Sequence, residues 1–530
     1  NLITKLPENT SKLSIDSFTS GWGELNTDVG YKYRLSKRTT GLLGINYFNY
    51  SNPIDNNEDG FTDLTLQDRI SIFNKFTFNN KLSFATRYVY EDRWGGQIGW
   101  MPKYRGGDLL YGESVYTSRF EFFGNYKINP AISFQFSFND HDQNAVYGTT
   151  LFNADQTIGF GQMTLNKNSK NNEFLMGVSY RYTYYDDDTT ATYDEITGNN
   201  RGATTHLPGV FIQNQTQLNA KNIVLVGLRY DYNSLYGSIV TPRLNYKLNN
   251  HDKTSTLRLS AGTGYRIAQI FTEDHASLTG ARKVEFLERL NPEKSWNTNL
   301  NYVKKIYLKK GAILDFDLSI FHTQFSNKII PDYDTDPNKI IYGNLNGTST
   351  SQGLSLNFNM LAQGGIRINL GATYIDTKIE EDGILSRPYL TEQFQGVWKF
   401  EKKWSPIKLT LDFTGSMTGP LKLPTLGILD PRPEYSTTFK IVNVQLTKIW
   451  TNTIETYGGV KNILNFTPPL NSIARSFDPF DKQVVFDDRG NALSTPNNPY
   501  GLTFDPSYVY ASNQGLRFFI GMRWKLETYQ

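Results

Sequence analysis

Leu257-Arg258-Leu259-Ser260-Ala261-Gly262-Thr263-Gly264-Tyr265-Arg266 is the stretch that decides the fold. Read in steps of two, it places Leu257, Leu259, Ala261, Thr263 and Tyr265 on one face and Arg258, Ser260, Gly262, Gly264 and Arg266 on the other. A tilted strand of about 9 to 11 residues crosses a bilayer, so this segment has the length and the two-faced chemistry of a membrane-spanning strand. One face suits lipid; the other suits water or protein.

The pattern recurs in Val224, Val226, Leu228, Tyr230 and Tyr232 against Gly227, Arg229 and Asp231, and in Leu314, Phe316, Leu318 and Ile320 against Asp315, Asp317 and Ser319. It returns in Leu354, Leu356, Phe358 and Met360, and again in Ile366, Ile368, Leu370, Ala372 and Tyr374. From residue 80 onward this alternation dominates the chain. Soluble β-sandwiches alternate too, so alternation alone does not separate the two architectures.

Connection lengths do separate them. Short polar turns at Phe78-Asn79-Asn80, Asn129-Pro130-Ala131, Ala220-Lys221-Asn222, Gln363-Gly364-Gly365 and Thr451-Asn452-Thr453 alternate with long connections near 91–114, 185–206, 266–293, 326–348, 419–436 and 467–512. Short turns at one rim and long loops at the other are the arrangement of an outer-membrane barrel. One crossing per roughly 24 residues gives about 22 strands, and a barrel of that size encloses a lumen too wide for side chains to fill. The predicted fold is therefore all-β, a transmembrane antiparallel up-and-down barrel of about 22 strands with long extracellular loops. Aromatic residues at strand ends (Tyr88, Tyr90, Tyr180, Tyr182, Trp296, Trp404, Trp450, Trp524) fit the girdles at the headgroup level.

Composition agrees. The 34 Phe, 33 Tyr and 43 Gly among 530 residues favour strands and turns. Mean hydropathy is below zero and no run of 18 apolar residues occurs, which excludes a helical span and is what a barrel with a polar interior gives. No cysteine is present, so disulfides, thiol catalysis and Cys-ligated zinc are excluded. Charges of both signs are mixed to a net +3, and no basic face argues for nucleic acid. The charged positions on the polar faces, Arg229, Asp231, Arg243, Lys247, Arg258, Arg266, Asp315, Asp317 and Arg523, predict an interior suited to a polar plug. No Gly-x-Ser-x-Gly elbow or catalytic triad is evident, and Gly262 and Gly264 lie inside a strand with no helix after them, so neither a hydrolase nor a phosphate loop is expected.

Three segments resemble TonB-dependent outer-membrane receptors, and the whole chain resembles the barrel portion of that family. Asn1-Leu2-Ile3-Thr4-Lys5 is similar to the stretch that closes the family's N-terminal plug. Gly262-Thr263-Gly264-Tyr265-Arg266 followed by Leu290-Asn291-Pro292-Glu293-Lys294-Ser295-Trp296 is similar to its mid-barrel strand, loop and next strand start. Tyr457-Gly458-Gly459-Val460-Lys461-Asn462-Ile463-Leu464, paired with Gly515 to Leu526, resembles its last two strands in order and spacing. Loop phrases such as Glu91-Asp92-Arg93-Trp94-Gly95-Gly96 and Phe271-Thr272-Glu273-Asp274-His275 resemble members from Bacteroidota. The chain departs from the family by ending on Leu526-Glu527-Thr528-Tyr529-Gln530 instead of a terminal aromatic.

The resemblance implies an outer-membrane active transporter taking up a ferric siderophore, haem, cobalamin or another metal chelate, driven by a TonB-type inner-membrane transducer. It also implies that residues 1–5 are the tail of a plug missing from this chain and that 6–530 form the barrel. A non-transporting scaffold within a larger outer-membrane complex, with a surface lipoprotein or other subunits as partners, is the alternative. Candidate ligand-binding residues are the loop aromatics and arginines Arg93, Trp94, Trp100, Tyr104, Arg105, Tyr111 and Arg282, since guanidinium groups match carboxylates and rings stack on planar groups. His275 falls where haem-transporting members carry an axial ligand, and its alternative is a solvated loop histidine. No cofactor is required. Asp55, Asn57, Asp59 and Asp63 are spaced like the oxygen ligands of a Ca2+ loop with Gly60 at the turn, although Leu66 stands where a bidentate carboxylate would close it; a plain Asx-rich turn is the other reading.

Overall fold

The computed structural model describes residues 4–7, 10–189, 192–194, 199–268, 270, 282–288, 290–336, 338–381 and 383–526. Its large sheet has 23 strands, of which Ile384–Ser386 only extends the end of Ile366–Glu381; the other 22 form the wall. Each wall strand pairs antiparallel with its neighbours in the chain, and Leu13–Ser20 closes the circle on Arg517–Leu526, with Leu13 opposite Leu526 and Ser20 opposite Phe519. Closure follows from the solvent, because an open edge would leave backbone N–H and C=O groups unpaired in hydrocarbon.

The register keeps each face consistent around the wall. Leu248, Leu257, Tyr302, Leu318, Leu356 and Ala372 are successive cross-strand partners, and one residue along lie Lys247, Arg258, Asn301, Ser319, Ser355 and Thr373. The first row is an apolar belt and the second a polar one. On the polar face Arg258 Nη1 donates to Asn301 Oδ1 at 2.8 Å, and Asn301 Nδ2 donates to Ser319 Oγ at 2.9 Å. Ion pairs bridge strands on that face: Glu121 holds Arg87 across the strands at 2.6 Å and Arg119 on its own strand at 2.7 Å, while Arg523 pairs with Asp16 at 2.7 Å and with Glu455. Tyr230, Leu257, Leu318 and Phe518 accordingly face outward, and Arg229, Arg258, Asp317 and Arg523 face the lumen. A one-residue slip would exchange the two sets.

The two rims differ as the turn signals predict. On one, no connection exceeds five residues, and Asn79 and Asn80 sit at φ 50 and 53, the left-handed pair that a tight hairpin of the strand's twist requires. On the other lie the long connections 51–65, 97–111, 188–202, 267–292, 326–346, 382–393, 419–438 and 462–516, together with the short ones 21–24, 148–149 and 234–236. Thr4 and Lys5 lie against the wall near the short-turn rim, where Lys75 Nζ donates to Thr4 Oγ1 at 2.8 Å and to the Lys5 carbonyl at 3.2 Å.

Two expectations need correction. The alternation begins at Leu13, well before residue 80. Strands also run past the bilayer on the long-loop side, as in the 19-residue Thr150–Asn168, because ladder hydrogen bonding remains favourable above the membrane. The connection placed at 91–114 therefore shrinks to 97–111, and Arg93 and Trp94 belong to the strand Leu82–Gly96.

Candidate functional site

Among the described residues, the long loops do not splay outward; they fold over the mouth. Clamps at their bases start this. Glu293 is almost fully buried, pairs with Arg266 at 2.7 Å across the foot of 267–292, and accepts the Ile329 N–H at 3.0 Å, tying that loop to the next. Asn462, at φ 49, donates through Nδ2 to the carbonyls of Phe466 and Gln514 at 2.7 and 3.0 Å, so one side chain joins both ends of 462–516. Glu293 and Asn462 both lie in the segments that carried the family resemblance. Their signal was in the sequence; their role as loop clamps was not.

From that anchor, 462–516 crosses the opening. Lys482 pairs with Asp108 at 2.9 Å, between Leu82–Gly96 and Gly112–Lys127, while the Gly490 carbonyl accepts from Asn338 Nδ2 at 2.7 Å, between Ile313–Phe325 and Gly347–Ala362. Those loops stand on opposite sides of the wall. Beneath it, Lys283–Phe286, Lys339–Asn344 and Ile329–Asp332 form a separate three-stranded sheet. Val284 and Phe286 from this sheet pack on Val115, Ala145, Phe152 and Tyr185 of the far wall. Together these segments make a canopy.

Buried charge and stacked rings hold the canopy. Arg282 Nη2 meets Asp505 at 2.9 Å with both side chains almost wholly buried, and its guanidinium lies 5.2 Å from the Tyr333 ring centroid. Arg432 pairs with Asp430 at 2.7 Å, donates to the Ser472 carbonyl at 3.3 Å and lies 4.4 Å over Tyr508. Phe504 stacks on Phe61 at 5.9 Å and tilts against Tyr111 at 4.9 Å. Asp481 accepts the Phe504 N–H at 2.8 Å, yet burial pushes its carboxyl up to about 6.

The structure separates the predicted ligand residues. Trp94 packs beside Trp22 and Tyr50 and meets the buried Trp100 at 5.0 Å. Gly112 is required there, since a Cβ would lie 2.3 Å from the Trp100 ring. Tyr111 joins the Phe61–Phe504 cluster instead. Arg105 is taken up by Ser114 at 3.2 Å and by Asn144, over the Tyr116 ring. Arg282 is the buried partner of Asp505, Arg93 is half exposed beside Glu91, and Tyr104 is half-buried next to the exposed Lys103. His275 lies outside the described residues. Sequence reading missed Asp505, Phe504, Arg432 and Asp430, whose partners are remote in the chain or carry no motif.

In the loop 51–65, Asp55 Oδ2 accepts the Gly60 N–H at 2.9 Å, Asp59 Oδ1 accepts the Phe61 N–H at 2.8 Å, and Asp63 Oδ2 accepts the Asn56 N–H at 2.8 Å. Asp63 is 7 % exposed, and burial with the negative charges of Asp55 and Asp59 raises its carboxyl to about 6.

Known proteins share this architecture. The siderophore receptor PirA from Acinetobacter baumannii superposes with a TM-score of 0.68 at 13% identity, over 99% of this chain and 82% of that one. The FrpB iron transporter from Neisseria meningitidis gives 0.68 at 11% identity, over 97% and 81%. At these identities the likeness establishes the fold. In sequence, an iron-regulated outer membrane virulence protein of Vibrio cholerae serotype O1 is 28% identical over 142 residues, spanning 26% of this chain and 21% of that relative. Residues 21–463 match the family described as TonB-dependent receptor-like, β-barrel, and the chain belongs to that family of outer-membrane receptors.

Proposed function

We propose that this barrel carries a ferric chelate across the outer membrane, powered by a TonB-type inner-membrane transducer. The family is one of receptors and transporters, not enzymes. The observation that carries the reading is a closed 22-strand wall lined with paired charges and roofed by its own long loops. A lumen of this width needs a filling domain, and a wall of mixed charge suits a polar one. The iron-related names of the relative and of the structural neighbours favour a ferric chelate over haem or cobalamin.

Ligand capture is assigned to the rim of 97–111, where Ile98, Met101, Lys103 and Leu109 are exposed beside Tyr104 and Arg105. Trp94 and Trp100 support that rim from below, and Arg93 lies on the lumenal path behind it. Arg282 and Tyr111 hold the canopy closed. The test replaces 98–110 with a short glycine-serine turn in the full-length protein and measures growth on limiting iron with a panel of ferric chelates, haem and cobalamin. Loss of growth on ferric chelates, with the folded barrel verified by its resistance to SDS without heating, is expected. Undiminished growth on every source would overturn the reading and favour the scaffold.

A further inference from the structure

We infer that Asp55, Asn57, Asp59 and Asp63 form a Ca2+ site whose occupancy fastens the loop 51–65 to the canopy. The spacing supplies side-chain oxygens at the first, third, fifth and ninth positions, the backbone carbonyl of Phe61 at the seventh, and Gly60 at φ 86 for the sharp turn. An Asx-rich turn accounts for Asp55 and Asp59, whose oxygens take backbone N–H groups. It does not account for Asp63.

That carboxylate is nine-tenths buried, its Oδ1 has no hydrogen-bond partner, and Asn56 holds its other oxygen at the acidic loop. A buried carboxylate oxygen without a donor is costly, and a hard cation is the partner that a set of neutral and anionic oxygens selects. Among the described residues no three acidic or histidine side chains are yet gathered tightly enough to hold an ion. Asp55 and Asn57 accept the Asp59 N–H, and Asn57 Nδ2 donates to Asp59 Oδ2 at 2.9 Å; a divalent ion would replace these bonds and draw the carboxylates together, closing the loop. Water completes the six to eight oxygens such an ion takes, in place of the carboxylate that Leu66 cannot provide.

The site is wired to the canopy through the backbone. Thr62 N–H donates to the Gly96 carbonyl at 2.8 Å, Ile98 N–H donates to the Gly60 carbonyl at 2.8 Å, and Phe61 stacks on Phe504. Ca2+ ordering of 51–65 therefore steadies 97–111 and 462–516 together.

The test titrates the chelator-treated, full-length protein in detergent with CaCl2 and separately with MgCl2 by calorimetry, and follows proteolysis of 462–516 with and without Ca2+. One Ca2+ per chain is expected, bound at least roughly tenfold more tightly than Mg2+, together with slower canopy cleavage when Ca2+ is present. The double variant Asp55→Asn/Asp59→Asn leaves the buried Asp63 in place and should lose at least roughly tenfold in affinity while its barrel stays SDS-resistant. Absence of saturable Ca2+ binding to the wild type, equal affinity for Mg2+, or unchanged affinity in the folded double variant would overturn the inference. None of these readouts depends on uptake.

Discussion

At the short-turn rim the chain reverses within five residues at every connection, with left-handed pairs at Asn79-Asn80 and Gly364-Gly365. At the opposite rim it spends up to the whole of 462–516 on a single crossing. The wall between them is held by neighbours close in sequence, strand by strand. The canopy is held by partners far apart, such as Arg282 and Asp505, which are 223 positions distant. The difference teaches that one chain contains two stability problems: the wall is cooperative and closed, while the canopy rests on a few buried links that can fail without it.

The largest effect should come from breaking one of those links. Arg282→Ala leaves Asp505 charged and buried, a change that costs about 3 to 5 kcal/mol when one member of a buried pair is lost. Hydrogen exchange should show 462–516 and Lys283–Phe286 losing protection while wall amides keep theirs. Loss of protection in the wall as well would show that the two regions form one cooperative unit.

The converse experiment loads the wall. Leu318→Arg places a charge in the apolar belt and should cost about 2 to 4 kcal/mol, whereas Ser319→Arg, one residue along, points into the polar lumen and should cost under about 1 kcal/mol. Urea unfolding in lipid vesicles, read by SDS resistance, compares them. Equal costs would mean that the register is wrong.

These two regions also differ in how far the sequence disclosed them. Leu257 to Arg266 could be read as a wall strand because lipid and lumen impose opposite demands on alternate residues, and that demand is local. The last two strands were legible differently, through the resemblance of Tyr457 to Leu464 and Gly515 to Leu526 to the family's closing strands. The canopy obeys no period. Trp94 and Trp100 read as ligand aromatics, and they are close together, but the packing of Trp94 against Trp22 and Tyr50 depends on a strand end some 44 positions upstream that the intervening strand Leu66–Phe78 brings near. Arg282 was picked out for its charge, and nothing near it in sequence identifies Asp505 as its partner.

Mild acid should tighten the canopy at Asp481. The Asp481 carboxyl is raised from its ordinary range to about 6 by burial, so the folded canopy holds a proton that the opened loop releases. The stabilisation is fully present below the ordinary carboxyl pKa and is lost as pH rises through about 6, and amounts to about 2 kcal/mol after partial screening. Proteolysis of 462–516 should be slower at pH 4.5 than at pH 7.5 with an acid-tolerant protease calibrated at both values. In Asp481→Asn, which also accepts the left-handed φ of 50, that dependence should shrink. An undiminished pH dependence in the variant would assign it to another group.

The smallest effect gives the sharpest comparison, because it applies the same backbone strain to each region. Asn80 in a short turn and Gly490 in the canopy both have positive φ, 53 and 83, and a Cβ at Gly490 would touch nothing. Valine fits neither conformation, since its branched Cβ crowds the left-handed backbone, so each substitution should cost about 1 to 2 kcal/mol where it is made. In Asn80→Val that cost falls on the hairpin joining Leu66–Phe78 to Leu82–Gly96, whose ladder is continuous with the whole wall, so barrel unfolding should shift by the full amount. In Gly490→Val it falls on a turn that touches the wall only through other loops, so barrel unfolding should be unchanged while cleavage of 462–516 accelerates several-fold. If Gly490→Val shifted barrel unfolding as far as Asn80→Val does, the canopy would have to be counted as part of the wall's cooperative unit.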